Sequence, residues 1–139
     1  MRKFEFLDHT ADAKFRAYGN TLEESFRNAG IALSSLVTDV TKVKPHIRKT
    51  IKVTSERQES LLFDFLEEFV YLTDTEGFLL HDIESLKISK GVDGMVLEAV
   101  LLGDKGTYEI FTQIKAITYN DMFIKKEGGI YTVQVVPDI

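Results

Sequence analysis

Hydrophobic and polar positions alternate in two short stretches near the N-terminus, residues 4–7 and 14–18. Phe4 and Phe6, and then Phe15 and Ala17, fall on single faces. Successive strand side chains point to opposite faces, so both stretches are predicted strands. The period then changes: Leu22, Phe26, Ala29, Leu33 and Leu36 follow at steps of four, three, four and three. That spacing aligns them on one helix face. Thr21 and Glu24 fit a capping box in front of it, which predicts a helix over Leu22–Val37.

Pro45 interrupts the chain, and Ile47, Ile51 and Val53 in "IRKTIKV" predict another strand. Ser55 with Gln58 offers a second capping box. It precedes a wide apolar stripe of Leu61, Leu62, Phe65, Leu66, Phe69, Val70 and Leu72, which ends near Gly77. A stripe that wide predicts a helix lying flat on a sheet. From residue 78 onward the runs "LLHDIESLKIS", "MVLEAVLL", "TYEIFTQIKAIT", "MFIKK" and "IYTVQVV" are β-rich, and glycines and Asn120 with Asp121 separate them. They read as an antiparallel meander. The order β-β-α-β-α followed by strands predicts an α+β two-layer sandwich, a mainly antiparallel sheet with two helices on one face, in a single domain spanning 1–139.

Composition narrows the chemistry. A chain of 139 residues with 44% hydrophobic and 28% charged residues supports an ordinary globular core. With no cysteine, disulfides, thiolate zinc sites and cysteine nucleophiles are excluded. No apolar run approaches the roughly 20 residues of a membrane span, and "MRKFEFLDHT" has no signal-peptide hydrophobic region. A soluble, cytoplasmic protein with no membrane partner is the expectation. A net charge of -5 argues against a stand-alone nucleic-acid binder. The local exception is "TKVKPHIRKTIK", with Lys42, Lys44, Arg48, Lys49 and Lys52 beside His46, a stretch that reads first as a solvated loop and strand face.

The nine glycines form no phosphate loop, no Gly-x-Ser-x-Gly is present, and His9, His46 and His81 share no short ligand spacing. Carboxylates at predicted sheet ends remain. "EFLDHTADAK" places Asp8, His9 and Asp12 in one connection, and "VVPDI" brings Asp138 and Ile139, whose α-carboxylate adds oxygens if Ile139 is the native end. Hard divalent cations prefer such ligands. The two clusters meet only if the first and last strands are neighbours; otherwise each is a solvated turn or strand end.

Three blocks, "FEFLDHTADAKFRAYGNTLEESFRNAGIALSSLVTD", "LLFDFLEEFVYLTDTEG" and "IKAITYNDMFIKKEGGIYTVQVVPDI", together resemble the archease family over essentially the whole chain. The resemblance implies a small non-enzymatic protein of tRNA processing. Its partner would be the GTP-dependent RtcB-type RNA ligase of tRNA splicing, which joins ends bearing a 3'-phosphate or 2',3'-cyclic phosphate to a 5'-hydroxyl. The implied role is to promote guanylylation of the ligase histidine, support turnover and broaden nucleotide use, with RNA met mainly through the ligase. The family's divalent-metal site, described as calcium-binding, falls on Asp12, Asp138 and Ile139. Lys115 matches a family lysine and is a candidate contact for the ligase or its nucleotide, or else an outward-facing strand lysine. Asn120 stands where many members carry histidine, and Pro137 replaces a more usual apolar residue.

Further candidates have structural alternatives. Asp8 supports the ligand loop or forms a turn-stabilising contact. His9 orients Asp12 or caps the strand end. Asp39 closes the first predicted helix, where a carboxylate opposes the helix dipole and hints at a partner. Two other functions stay open: a metal-dependent phosphohydrolase using Asp8, His9 and Asp12, and a chaperone-like binding module for RNA-processing proteins.

Overall fold

The protein is represented by a computed structural model that describes residues 2–8 and 13–139. The N-terminal alternation becomes β1 (Phe4–Phe6) and β2 (Phe15–Gly19), and α1 (Leu22–Val37) has the predicted limits. Thr21 Oγ1 accepts the Glu24 N–H at 3.0 Å, and Glu24 Oε1 accepts the Asn20 N–H at 3.2 Å. One of the donors left orphaned at the helix start, the Glu24 N–H, is thereby satisfied, and the Glu24 side chain ties back the residue before the cap. After β3 (Ile47–Ser55), α2 runs over Gln58–Glu76. The expected Ser55–Gln58 box does not form: Arg57 is the cap residue, and Ser60 Oγ accepts the Arg57 N–H at 3.3 Å. Ser55 instead donates to Ser60 Oγ. Gly77 ends α2 at φ 69 with its N–H on Thr73 O, while Phe78 N–H reaches back to Leu72 O, a left-handed cap that glycine adopts at little cost.

The remaining strands are β4 (Leu79–Gly91), β5 (Gly94–Asp104), β6 (Ala116–Glu127) and β7 (Ile130–Asp138). The result is an α+β sandwich of two helices and antiparallel strands. The strands divide into two sheets, ordered β1-β2-β7-β6 and β3-β5-β4, rather than forming one. The division falls at residues 105–115. The sequence reads "TYEIFTQIK" as strand, yet this segment joins no ladder and crosses between the sheets. Of its apolar residues Ile114 is buried while Ile110 and Phe111 are half-exposed, and its tie to α1 is the Phe111 N–H on Val37 O. Helix α1 packs on β2 and β4, and α2 packs on β6 and β3, so each helix touches both sheets.

The core lies along these helices. Phe26 and Phe65 stack with centroids 6.3 Å apart, and Phe69 meets Phe65 edge-on at 5.1 Å. A methyl at Gly30 would come within 2.8 Å of the Phe69 ring and 2.9 Å of Ile83, so the close approach of α1 to α2 and β4 requires glycine there. Among the described residues, no helix is long and apolar enough to cross a membrane.

Candidate functional site

One sheet end gathers most of the sequence-predicted residues. Strand β2 pairs with β7 from Phe15 opposite Val135 to Gly19 opposite Tyr131. The chain therefore enters β2 at the edge where β7 runs out through Pro137 and Asp138. The last strand thus neighbours the second strand, with β1 on the far side of β2. The connection between β1 and β2 is clasped at its base by Leu7 N–H donating to Lys14 O at 2.7 Å. On the other side of β7, Ala116 lies opposite Asp138, and Lys115 N–H donates to Asp138 O at 2.8 Å. Backbone pairing therefore brings Lys115, Asp138 and the flanks of the first connection to one edge.

Asp138 is partly buried, Ile139 is 37% exposed, and Asp8 and Lys115 are exposed. Among the described residues, no Lys, Arg or His nitrogen forms an ion pair with the Asp138 carboxylate. His9 and Asp12 lie outside the described residues. Among those described, no three His, Asp or Glu side chains converge as a metal site would require. Among the described residues, the Asp138 carboxylate offers oxygen at this edge, the hard-ligand type that suits a divalent cation.

Polar contacts fix this edge. Gln134, 4% exposed in β7, accepts from Arg16 Nε at 2.9 Å and donates to Asp121 O at 2.8 Å. Asp121 sits at φ 55 in a register shift of β6 between Thr118 and Phe123, and its carboxylate lies 3.9 Å from Lys14 Nζ. Such bulges bend a strand and re-aim its side chains. Thr118 Oγ1 donates to Val136 O at 2.6 Å, and Glu67 of α2 accepts the Ile117 N–H at 2.9 Å. The pattern-based reading missed Gln134 and Glu67, because a lone polar residue within an apolar run looks like any outward-facing position.

Other candidates are engaged elsewhere. Asp39 caps the short 3-10 turn Val40–Lys42, accepting from Thr41 N at 3.1 Å and Thr41 Oγ1 at 2.6 Å. The Thr41 hydroxyl holds its carboxyl below the usual range. The partner hinted at by its position is thus the next turn of the same chain. His81 Nδ1 lies 2.6 Å from Val43 O, and His46 Nδ1 lies 3.2 Å from Asp104. In the basic stretch, Arg48 pairs with Glu84 at 2.7 Å and Lys49 with Glu76 at 2.5 Å, which leaves less free positive charge than the sequence suggests.

The family model for the Archease protein family (MTH1598/TM1083) matches residues 4–139. The chain belongs to the archease family. Protein archease of Pyrococcus abyssi is 41% identical and that of Methanothermobacter thermautotrophicus 38%, each alignment covering the whole of both chains. The solution structure of protein 1598 from Methanobacterium thermoautotrophicum superposes with a TM-score of 0.86 at 37% identity over both full chains. A crystal structure of an archease from Thermotoga maritima, named there as a possible chaperone, shares the fold at a TM-score of 0.66 and 23% identity. It covers 100% of this chain and 98% of its own. The edge where β2 begins and β7 ends is therefore a feature of an archease chain.

Proposed function

We propose that this archease is a non-enzymatic protein partner of an RtcB-type RNA ligase in tRNA processing, promoting guanylylation and turnover of the ligase and broadening its nucleotide use. RNA is then met mainly through the ligase, in the cytoplasm. The observation that supports this reading is the convergence of Lys115, Asp138 and the chain end beside the start of β2. Three segments distant in sequence are held there by backbone hydrogen bonds, so the edge is a preformed tip rather than three independent turns. Lys115 projects a cation from the tip for a phosphate or carboxylate of the partner, while its own N–H is spent on Asp138.

Asp12, Asp138 and the Ile139 α-carboxylate are the residues that would hold a divalent cation, calcium in our reading. Bound there, it would supply positive charge at an otherwise acidic tip. Asp8 and His9 are assigned to supporting that loop. The phosphohydrolase reading, which uses Asp8, His9 and Asp12, has no second ligand motif to draw on, and the chain's other two histidines are engaged elsewhere, His46 with Asp104 and His81 with Val43 O. A general chaperone-like role, suggested by the name of the Thermotoga relative, predicts stimulation that does not depend on the tip.

Single-turnover guanylylation of an RtcB-type ligase with GTP, with wild type, Asp12→Ala and Lys115→Ala, tests the proposal. Loss of stimulation with folded Asp12→Ala is expected, with a partial loss for Lys115→Ala. No stimulation by wild type would overturn the ligase reading; full stimulation by both variants would overturn the tip and favour the chaperone-like alternative.

A further inference from the structure

A second region is built for contact. A cavity of about 450 Å3 opens between α1, α2 and the segment 105–115, walled by Leu33, Phe69, Val70, Ile110 and Ile114. This is within the size range of ligand sites, about 300–1,000 Å3. Its apolar surface continues outside the mouth: Ile110 is 51% exposed and Phe111 55%. Two large adjacent hydrophobics half in water beside an apolar cavity mark a contact surface rather than scattered exposure. The occupant must therefore be larger than the cavity and lie across the outer strap, as a polypeptide does.

Charge selects the polypeptide. Among the described residues, Asp74 is the only charged side chain lining the cavity and has no cationic partner. Lys105, on the strap itself, is turned 3.7 Å from Glu76. Glu76, at the same end of α2, is already paired with Lys49 and Lys105, so Asp74 is the charge left at the cavity mouth. A phosphate backbone is repelled here, and a basic segment is attracted.

We propose that this cavity receives a large apolar side chain from a partner polypeptide segment that carries a basic residue beside it, the base meeting Asp74 and the rest of the segment covering Ile110 and Phe111. The surface is distinct from the tip. The strap links them, since Ile114 lines the cavity and Lys115 is bonded to Asp138. The inference goes beyond the ligase reading, and its test uses the free chain, so either can fail alone.

The test is amide NMR of the full 15N-labelled chain, titrated with the capped pentapeptides Gly-Phe-Lys-Lys-Gly, Gly-Ala-Lys-Lys-Gly and Gly-Phe-Glu-Glu-Gly, and with a short oligouridylate. The Phe-Lys peptide is expected to shift amides in 33–38, 69–74 and 106–114. The Phe-Glu peptide should bind about fivefold more weakly, the size of one exposed ion pair, and the alanine peptide should leave these amides unmoved. Asp74→Lys, an exposed substitution that leaves the core intact, should reverse the Lys-over-Glu preference. Shifts that fall elsewhere, equal shifts from the alanine peptide, an unchanged preference in Asp74→Lys, or the same amides moved by oligouridylate would each overturn the proposal.

Discussion

The two ends of the segment 105–115 are held by different physics. At its C-terminal end, Lys115 joins the backbone ladder: its N–H meets Asp138 O, and the next residue pairs in register with β7. At the other end, side chains do the holding. Tyr108 donates its hydroxyl to Asp104 at 2.6 Å and accepts the Lys44 N–H at 3.2 Å, while Thr38 Oγ1 donates to Glu109 O at 2.6 Å. Only Phe111 N–H, bonded to Val37 O at 2.7 Å, adds a backbone tie. The ladder end is a rigid tip, and the strap end is a wall that opens at the cost of a few individual bonds. Amides inside a core ladder open near the global free energy, whereas segments held by a few separate bonds open locally.

The sharpest way to break this contrast is to cut each region's apolar support. Phe15 is fully buried in β2, opposite Val135, so Phe15→Ala should cost about 3–5 kcal/mol in urea unfolding. Phe111→Ala, at a half-exposed position, should cost less than about 0.5 kcal/mol. Comparable losses would mean that the strap is part of the global fold.

Gln134→Leu comes next. It removes the acceptor of Arg16 Nε and the donor to Asp121 O together, and about 1–2 kcal/mol is expected. The loss should come with faster amide exchange across residues 119–122, because the bulge loses its anchor on β7. Normal exchange there would show that the bulge is set by β6 alone.

Thr38→Val sharpens the other side. Thr38 is 2% exposed and its hydroxyl holds Glu109 O, so about 1 kcal/mol is expected. The diagnostic readout is local: the Phe111 amide should exchange faster while β7 amides keep their protection. Uniform loss across both would join strap and ladder into one cooperative unit.

The same division explains what the sequence made legible. Periods of two and of 3.6 identified both helices and the strands that carry the tip, since every second or third residue repeats the signal. The meeting of the two clusters was tied to the first and last strands being neighbours, whereas it is β2 that lies beside β7; alternation says which face a residue takes and not which strand lies beside it. The strap was misread because "TYEIFTQIK" has strand composition. Its conformation depends on Val37, Thr38 and Lys44, distant residues that no local pattern announces, as well as on the adjoining Asp104. Asp39 shows the reverse case: the unfavourable charge at the end of α1 was visible, but the compensating turn at Thr41 was not. The acidic tip itself was read from "DHTAD" and "VVPDI". Its Asp138 and Lys115 fall at one edge, while Asp12 and His9 lie outside the described residues.

The subtlest prediction concerns Asp104, where β5 passes into the strap. The Tyr108 hydroxyl holds its carboxyl below the ordinary carboxylate range against the opposing effect of burial, with lesser help from the Lys105 amide and His46. Reciprocally, the Asp104 carboxylate pushes the Tyr108 hydroxyl up. A carboxyl depressed in the folded state adds stability that is present above its ordinary value, about 4, and is lost as pH falls through the lower folded value. Tyr108→Phe should therefore move the Asp104 titration upward in carbon-detected NMR and loosen the strap at every pH, so that exchange of the Phe111 amide is faster throughout and loses the acid step expected of the wild type. If Asp104 titrates at its wild-type position in that variant, the Lys105 amide and His46 set its charge. The strap would then be anchored by Thr38 and Phe111 alone, and its mouth would open independently of acid.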